Sequence, residues 1–179
     1  MNLSWYYWYF QSVVPEKICD DIVEYASTQK KQTGLTGNGL NNQPPTKKEL
    51  KNIQKKRKSD IVWLSEPWIY KEIQPYIHEA NKSADWNHQW DFTQACQFTE
   101  YKKGQHYDWH CDSDVLPYDR PNDANQNGKI RKLSMTLSLT DQSAYRGGDL
   151  EFDFRCTDEG SQPQICKEVR PKGSIIVFP

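Results

Sequence analysis

Two hydrophobic periods alternate along the chain. Residues 5–14 are aromatic and β-branched and predict a strand, after which Pro15 opens a helix as a first-turn proline does. Ile18, Ile22, Val23 and Ala26 recur at helical spacing, so this helix runs to about Thr28 with one stripe for packing on a sheet. Residues 30–45 are rich in Gly, Asn and Pro, keep no periodicity and read as a loop. Lys47, Lys48, Lys51, Lys55, Lys56, Arg57 and Lys58 then form a basic run, read as a solvated face, ahead of a strand over 61–64. Pro67 starts a second helix to about Ala84, with Ile69, Ile73, Tyr76, Ile77 and Ala80 as its buried stripe. Beyond it the period changes. Residues 92–101, 132–139, 149–154, 165–169 and 174–178 are short β-rich runs separated by Gly, Asn, Asp or Pro, and predict an antiparallel β-core flanked by N-terminal helices. The class is therefore mainly β with N-terminal helices, α+β.

Length adds that 179 residues make one domain with its own core. The expected division is a helical support over 1–90 and a β-core over 91–179. A net charge of -1 and a pI near 6.4 provide no global field toward nucleic acid or an anionic membrane. Cys19, Cys96, Cys111, Cys156 and Cys166 are odd in number and form no CxxC pair, which argues against a disulfide framework or a zinc ribbon and for reduced thiols. No apolar run approaches the roughly 20 residues of a membrane span, and no signal-peptide plan is visible. A cytoplasmic, non-membrane protein is expected.

The chemistry concentrates in Tyr101-Lys-Lys-Gly-Gln-His-Tyr-Asp-Trp-His-Cys-Asp112. In an extended segment residues two apart share a face, so His110 and Asp112 could bind one ion from one wall of a sheet. Imidazole plus carboxylate, with a second histidine from elsewhere, is the facial triad of non-haem iron(II) oxygenases, and its open positions admit a chelating co-substrate and dioxygen. His106 and Asp108 form a second pair in the same phase, and strand geometry does not choose between the two. His78, in a helix, and His88, in a polar loop, read as solvent-facing. By parity Tyr107 does not share the face of His110, so no catalytic role is assigned to it.

Tyr101, Gly104, Tyr107, His110 and Asp112, with the spacing Tyr-x-x-Gly-x-x-Tyr-x-x-His-x-Asp, resemble the prolyl 4-hydroxylase-like branch of the iron(II)- and 2-oxoglutarate-dependent dioxygenases, in particular PKHD-type hydroxylases of bacteria and phages. That resemblance selects His110 and Asp112 as the metal pair. Residues 131–141 look like the family's next core strand, Arg146-Gly-Gly-Asp-Leu-Glu-Phe152 like its Gly-Gly turn and strand, and Pro171-Lys-Gly-Ser-Ile-Ile-Val-Phe-Pro179 like the segment that leads to the distal histidine. The resemblance implies a double-stranded β-helix, jelly-roll or cupin-like. It implies Fe(II), 2-oxoglutarate and O2 as cofactors, with ascorbate as a further one, and a peptide or protein substrate hydroxylated as 2-oxoglutarate is converted to succinate. Tyr101 matches the tyrosine that contacts the far carboxylate of 2-oxoglutarate, and Ser134, Thr136 and Ser138 are candidates for lining the same pocket. The distal histidine and the basic partner of 2-oxoglutarate would follow the Phe-Pro corner, so the sequence read to Pro179 is expected to lack the last strands and the full catalytic set. Ile175 and Val177 would then lie on an unpaired strand.

Two other classes fit parts of the chain. One is a catalytically silent β-sandwich that binds nucleic acid or an acidic partner through the basic 47–58 run; the other is a zinc or other metal hydrolase on a similar β-fold. Specificity loops are expected at 30–45 and 115–128.

Overall fold

The computed structural model describes residues 3–35, 46–113, 115–154 and 162–179. In chain order its elements are β1 (Trp8–Phe10), α1 (Glu16–Thr28), β2 (Gln32–Thr33), α2 (Lys47–Lys56), β3 (Arg57–Lys58), β4 (Asp60–Leu64), α3 (Pro67–Ser83), β5 (Cys96–Glu100), β6 (His106–Tyr107), β7 (Ser134–Leu137), β8 (Glu151–Phe152), β9 (Gln164–Ile165) and β10 (Ile175–Phe178). The protein is mixed α and β, and every strand pair among the described residues is antiparallel. It divides into two compact units.

The first unit comprises Met1–Glu24, Glu66–Gln94 and Asp112–Pro179. Its sheet has the order β1-β10-β7, and the central strand explains the unbroken apolar run Ile175-Ile176-Val177. Ile175 and Val177 join a cluster with Val14, Cys19 of α1 and Ala80 of α3, while Ile176 joins Tyr7, Cys166 and Val169. Ile175, Ile176 and Val177 of β10 are fully buried, as a strand covered on both faces requires. The expectation that Ile175 and Val177 lie on an unpaired strand is thus corrected: β10 is hydrogen-bonded on both sides. On β7 and just beyond its ends, Leu133, Met135, Leu137 and Leu139 alternate onto the first cluster. On the second cluster, Phe152 of the β8–β9 pair stacks on Tyr7 at 5.2 Å and meets Phe178 edge-on at 5.3 Å.

The strand predicted over 5–14 shrinks to β1 because backbone groups at both ends are used elsewhere. Tyr6 and Tyr7 donate to the Leu3 carbonyl in a 3-10 turn, and Ser12, at φ 47, donates its N–H to Ser174 Oγ. Val13 and Val14 both donate to the Gly173 carbonyl. Gly173 sits at φ +80, and a Cβ there would lie 2.2 Å from the Val14 carbonyl oxygen, so only glycine permits this approach. The two predicted helices form as α1 and α3, the latter with Pro67 in its first turn. Val23, placed in the buried stripe of α1, is instead exposed, and Cys19, Ile22 and Ala26 are buried.

The second unit comprises Tyr25–Ser65 and Ala95–Cys111. It holds the sheet β2-β4-β5 and the short pair β3–β6, in which Arg57 faces Tyr107 and Lys58 faces His106. β2 lies in the segment predicted as loop; residues 36–45 of that loop fall outside the described residues. The basic run is largely the helix α2, started by a capping box in which the Thr46 hydroxyl accepts from the Glu49 N–H and Glu49 accepts from the Thr46 N–H. Among the described residues no helix is long and apolar enough to cross a membrane.

Candidate active site

β6 ends at Tyr107, and residues 108–112 follow as irregular backbone. The expectation of one extended segment through Asp112 is therefore corrected, and strand parity does not govern the candidate ligands. The strand ends because β3 offers only two residues for pairing, after which the Asp108 N–H donates to the Lys56 carbonyl at 2.7 Å.

Backbone contacts occupy the first histidine–carboxylate pair. His106 Nε2 lies 3.0 Å from the Lys55 carbonyl oxygen, and Asp108 Oδ1 accepts from the Trp109 N–H at 2.9 Å. His110 differs. Its side chain is exposed, its Nδ1 lies 2.8 Å from the Asp108 carbonyl oxygen, and its ring stacks on Tyr107 with centroids 3.6 Å apart and planes 12° apart. Since a carbonyl only accepts, Nδ1 carries the proton and the lone pair of a neutral imidazole resides on Nε2. This is the tautomer an Nε2 metal ligand needs, with its other nitrogen anchored to a main-chain carbonyl as such ligands commonly are.

Asp112, in the first unit, is held by Arg131. Arg131 Nη1 donates to the Asp112 carbonyl at 3.0 Å and lies 3.8 Å from its carboxylate Oδ2. The same guanidinium donates through Nε and Nη2 to Gln94 Oε1 at 3.0 and 2.7 Å. Gln94 Nε2 donates in turn to Gln126 Oε1 at 2.7 Å. This chain of contacts ties part of the predicted specificity loop 115–128 to Asp112. By residue chemistry, an imidazole in this tautomer and a carboxylate are each a ligand type that a facial-triad iron takes. Among the described residues no group of three or more His, Cys, Asp and Glu side chains gathers where it could hold a metal ion.

Tyr101 is half exposed, and partial burial pushes its phenol above the usual range, opposed by the positive charge of Arg57. Of the β7 candidates, Ser134 is half-buried and Thr136 exposed. Ser138 lies one residue past the strand and donates its hydroxyl to the Val169 carbonyl, so that group is committed to the backbone. His78 is exposed and stacks on Trp90, and His88 exchanges backbone hydrogen bonds with the Asn81 side chain; the structure gives neither a ligand's setting.

Sequence reasoning named Tyr107 in the motif and Arg57 in the basic run but gave Tyr107, Arg57, Arg131 and Gln94 no part in the site. For Arg57 a signal existed: Arg57, Ser59 and Ile61 alternate as a strand does, and all three are buried. For Tyr107 the parity argument misled, because the chain bends before His110.

Residues 96–179 match the family model of the 2OG-Fe(II) oxygenase superfamily. Over these residues the chain is similar to the domain of 2-oxoglutarate-dependent dioxygenases. No curated protein matches the chain. Among solved structures, the viral collagen prolyl hydroxylase of Paramecium bursaria Chlorella virus-1, in complex with 2-oxoglutarate, is similar in fold with a TM-score of 0.58 and 21% identity, over 97% of this chain and 77% of that one.

Proposed function

We propose that the chain hydroxylates a prolyl or other side chain of a peptide or protein while 2-oxoglutarate is oxidised to succinate and carbon dioxide. His110 through Nε2 and Asp112 through its carboxylate would hold Fe(II). The observation that carries this assignment is the hydrogen bond from His110 Nδ1 to the Asp108 carbonyl, which sets the ligand tautomer. Bound iron supplies the activation of dioxygen, and the protein supplies position and exclusion of water. Arg131 fixes the backbone at Asp112, and Tyr101 is assigned to the far carboxylate of 2-oxoglutarate, with Ser134 and Thr136 along the same pocket. Catalysis of this kind also needs a second histidine and a basic group for the co-substrate. Ascorbate as an additional cofactor, a cytoplasmic location, a double-stranded β-helix and one domain spanning both units complete the proposal. The prolyl substrate class is supported by the name of the similar viral enzyme.

The test uses full-length protein with Fe(II) and 2-oxoglutarate. Anaerobic mixing should give a visible charge-transfer band, and oxygen should release succinate. His110→Ala and Asp112→Ala should each abolish succinate release; normal release by both rules out this metal pair.

A second reading has its own observation. Lys47, Lys48, Lys51 and Lys55 are exposed and share one face of α2. A binding module acting through them would bind polyanions without metal and lose affinity steeply with salt. Absence of such binding at low salt removes this reading.

A further inference from the structure

A buried arginine lies next to the stacked pair Tyr107 and His110, and the oxygenase assignment leaves it without a task. Arg57 is 4% exposed although it belongs to a lysine run whose other members are in solvent. Its Nε donates to Ser59 Oγ at 3.0 Å and its Nη2 to Gln97 Oε1, while Cζ sits 4.4 Å from the centroid of the Tyr107 ring. Among the described residues, none of these partners is a carboxylate. A guanidinium this deeply placed is costly unless neighbours satisfy it, and here neutral acceptors and the face of an aromatic ring do so.

The surroundings are shaped for that placement. Arg57 and Tyr107 are cross-strand partners in the β3–β6 pair, which brings the two side chains together. Gly34 leaves the room: a Cβ at that position would lie 2.4 Å from Ser59 Oγ and 2.8 Å from Arg57 Nε. The Gly34 N–H donates to the Ser59 carbonyl at 2.9 Å, fixing the residue that in turn fixes the guanidinium. His110 covers Tyr107 at 3.6 Å, nearly coplanar. The imidazole and the guanidinium cannot occupy the same ring face at these separations. Tyr107 is therefore sandwiched between Arg57 and His110.

We infer that Arg57 is a positioning residue of the metal site: clamped by Ser59 and Gln97, it holds the Tyr107 ring, and that ring holds the imidazole of His110. Residues 108–110 belong to no strand among the described residues, and the stack and the hydrogen bond to the Asp108 carbonyl are two contacts that orient the ring. The choice of an arginine follows, since a planar, forked cation can lie on a ring and donate to two acceptors together, which lysine cannot do. This inference rests on the assignment of His110 as a ligand in the preceding section, and its test separates the two.

In metal-free protein, NMR of the His110 ring protons reads the stack directly, because a ring lying over Tyr107 is shifted upfield. Tyr107→Phe should keep the upfield shift and Tyr107→Ala should lose it. Arg57→Gln should move the His110 signals toward their Tyr107→Ala positions, with Arg57→Lys intermediate. Anaerobic titration with Fe(II) alone should show affinity falling about tenfold or more in Arg57→Gln, the usual scale for a lost support of a ligand, and by less in Arg57→Lys. Unchanged His110 signals in folded Arg57→Gln overturn the inference, and if that variant does not fold, unchanged signals in Arg57→Lys do so. Wild-type protein that binds no Fe(II), while Arg57→Gln still moves the His110 signals, overturns the ligand assignment and with it the purpose given to Arg57.

Discussion

Arg131 binds Asp112 by its backbone more closely than by its charge: Nη1 is 3.0 Å from the main-chain carbonyl and 3.8 Å from the carboxylate. Both side chains are about one-third exposed, where an ion pair contributes under about 1 kcal/mol. The guanidinium acts chiefly as a brace between Gln94 and the turn that carries Asp112.

Gln94→Ala should therefore leave Arg131 Nε and Nη2 without the acceptor they share. A hydrogen bond to a charged group is worth about 1.5–3 kcal/mol, so urea denaturation should show a loss on that scale. Arg131→Lys should cost a similar amount while keeping the charge, because one ammonium cannot reach both the Gln94 amide and the Asp112 carbonyl. A variant as stable as wild type would show that the brace is dispensable.

Gly173→Ala should be among the most damaging single changes in the first unit. The left-handed backbone alone costs a non-glycine residue about 1–2 kcal/mol, and the added methyl would also meet the Val14 carbonyl oxygen at 2.2 Å. Relief requires breaking the bonds from Val13 and Val14 to Gly173. Thermal unfolding should show a large fall in midpoint or no cooperative transition.

Stability should decline in alkali through two buried groups. Burial, then the hydrogen bond to and the charge of Glu168, push the Cys166 thiol from its ordinary 9.0 up to about 12. Burial and then Glu168 push the Tyr7 phenol from 10.0 up to about 12. Both stay protonated in the fold where the unfolded chain ionises, so their contribution is complete below pH 9 and is lost as pH rises toward 12. The urea midpoint should begin to fall near pH 9 in wild type and nearer pH 10 in Cys166→Ala. The thiol of Cys166 should resist alkylation at neutral pH while exposed Cys111 reacts.

The first turn of α2 should open in acid. Glu49 is held below the usual carboxylate range by hydrogen bonds from the Thr46 hydroxyl and then the Thr46 N–H. A lowered folded value stabilises above the unfolded pKa and ceases to do so as pH falls through the folded one. Hydrogen exchange at residues 47–50 should quicken at low pH and in Thr46→Ala, whose lost cap is worth about 0.5–2 kcal/mol.

The sequence carried the helices α1 and α3 clearly because proline starts and apolar stripes are local signals. It carried α2 less clearly, although Thr46 and Glu49 spell a capping box, because lysine density masked the two apolar positions Leu50 and Ile53. His110 and Asp112 stood out by motif, but their setting did not: the assumption of a strand fails where β3 runs out of partners for β6. The burial of Arg57 had a local signal, but the partners of Arg57 and Arg131 were illegible for a different reason. Each draws its role from contacts with segments far along the chain, Gln97 and Tyr107 for one and Asp112 and Gln94 for the other, and no local period encodes such partnerships.

Trp8 pairs with Val177, so β1 waits for a strand far along the chain. During synthesis β1 emerges long before β10 exists to receive its hydrogen bonds, and the first unit cannot close until nearly every residue between them has left the ribosome. Such distant pairing slows folding and leaves aromatic β-prone segments uncovered in the nascent chain. Low growth temperature or a slow induction should therefore raise the soluble yield of this protein more than any change to its surface.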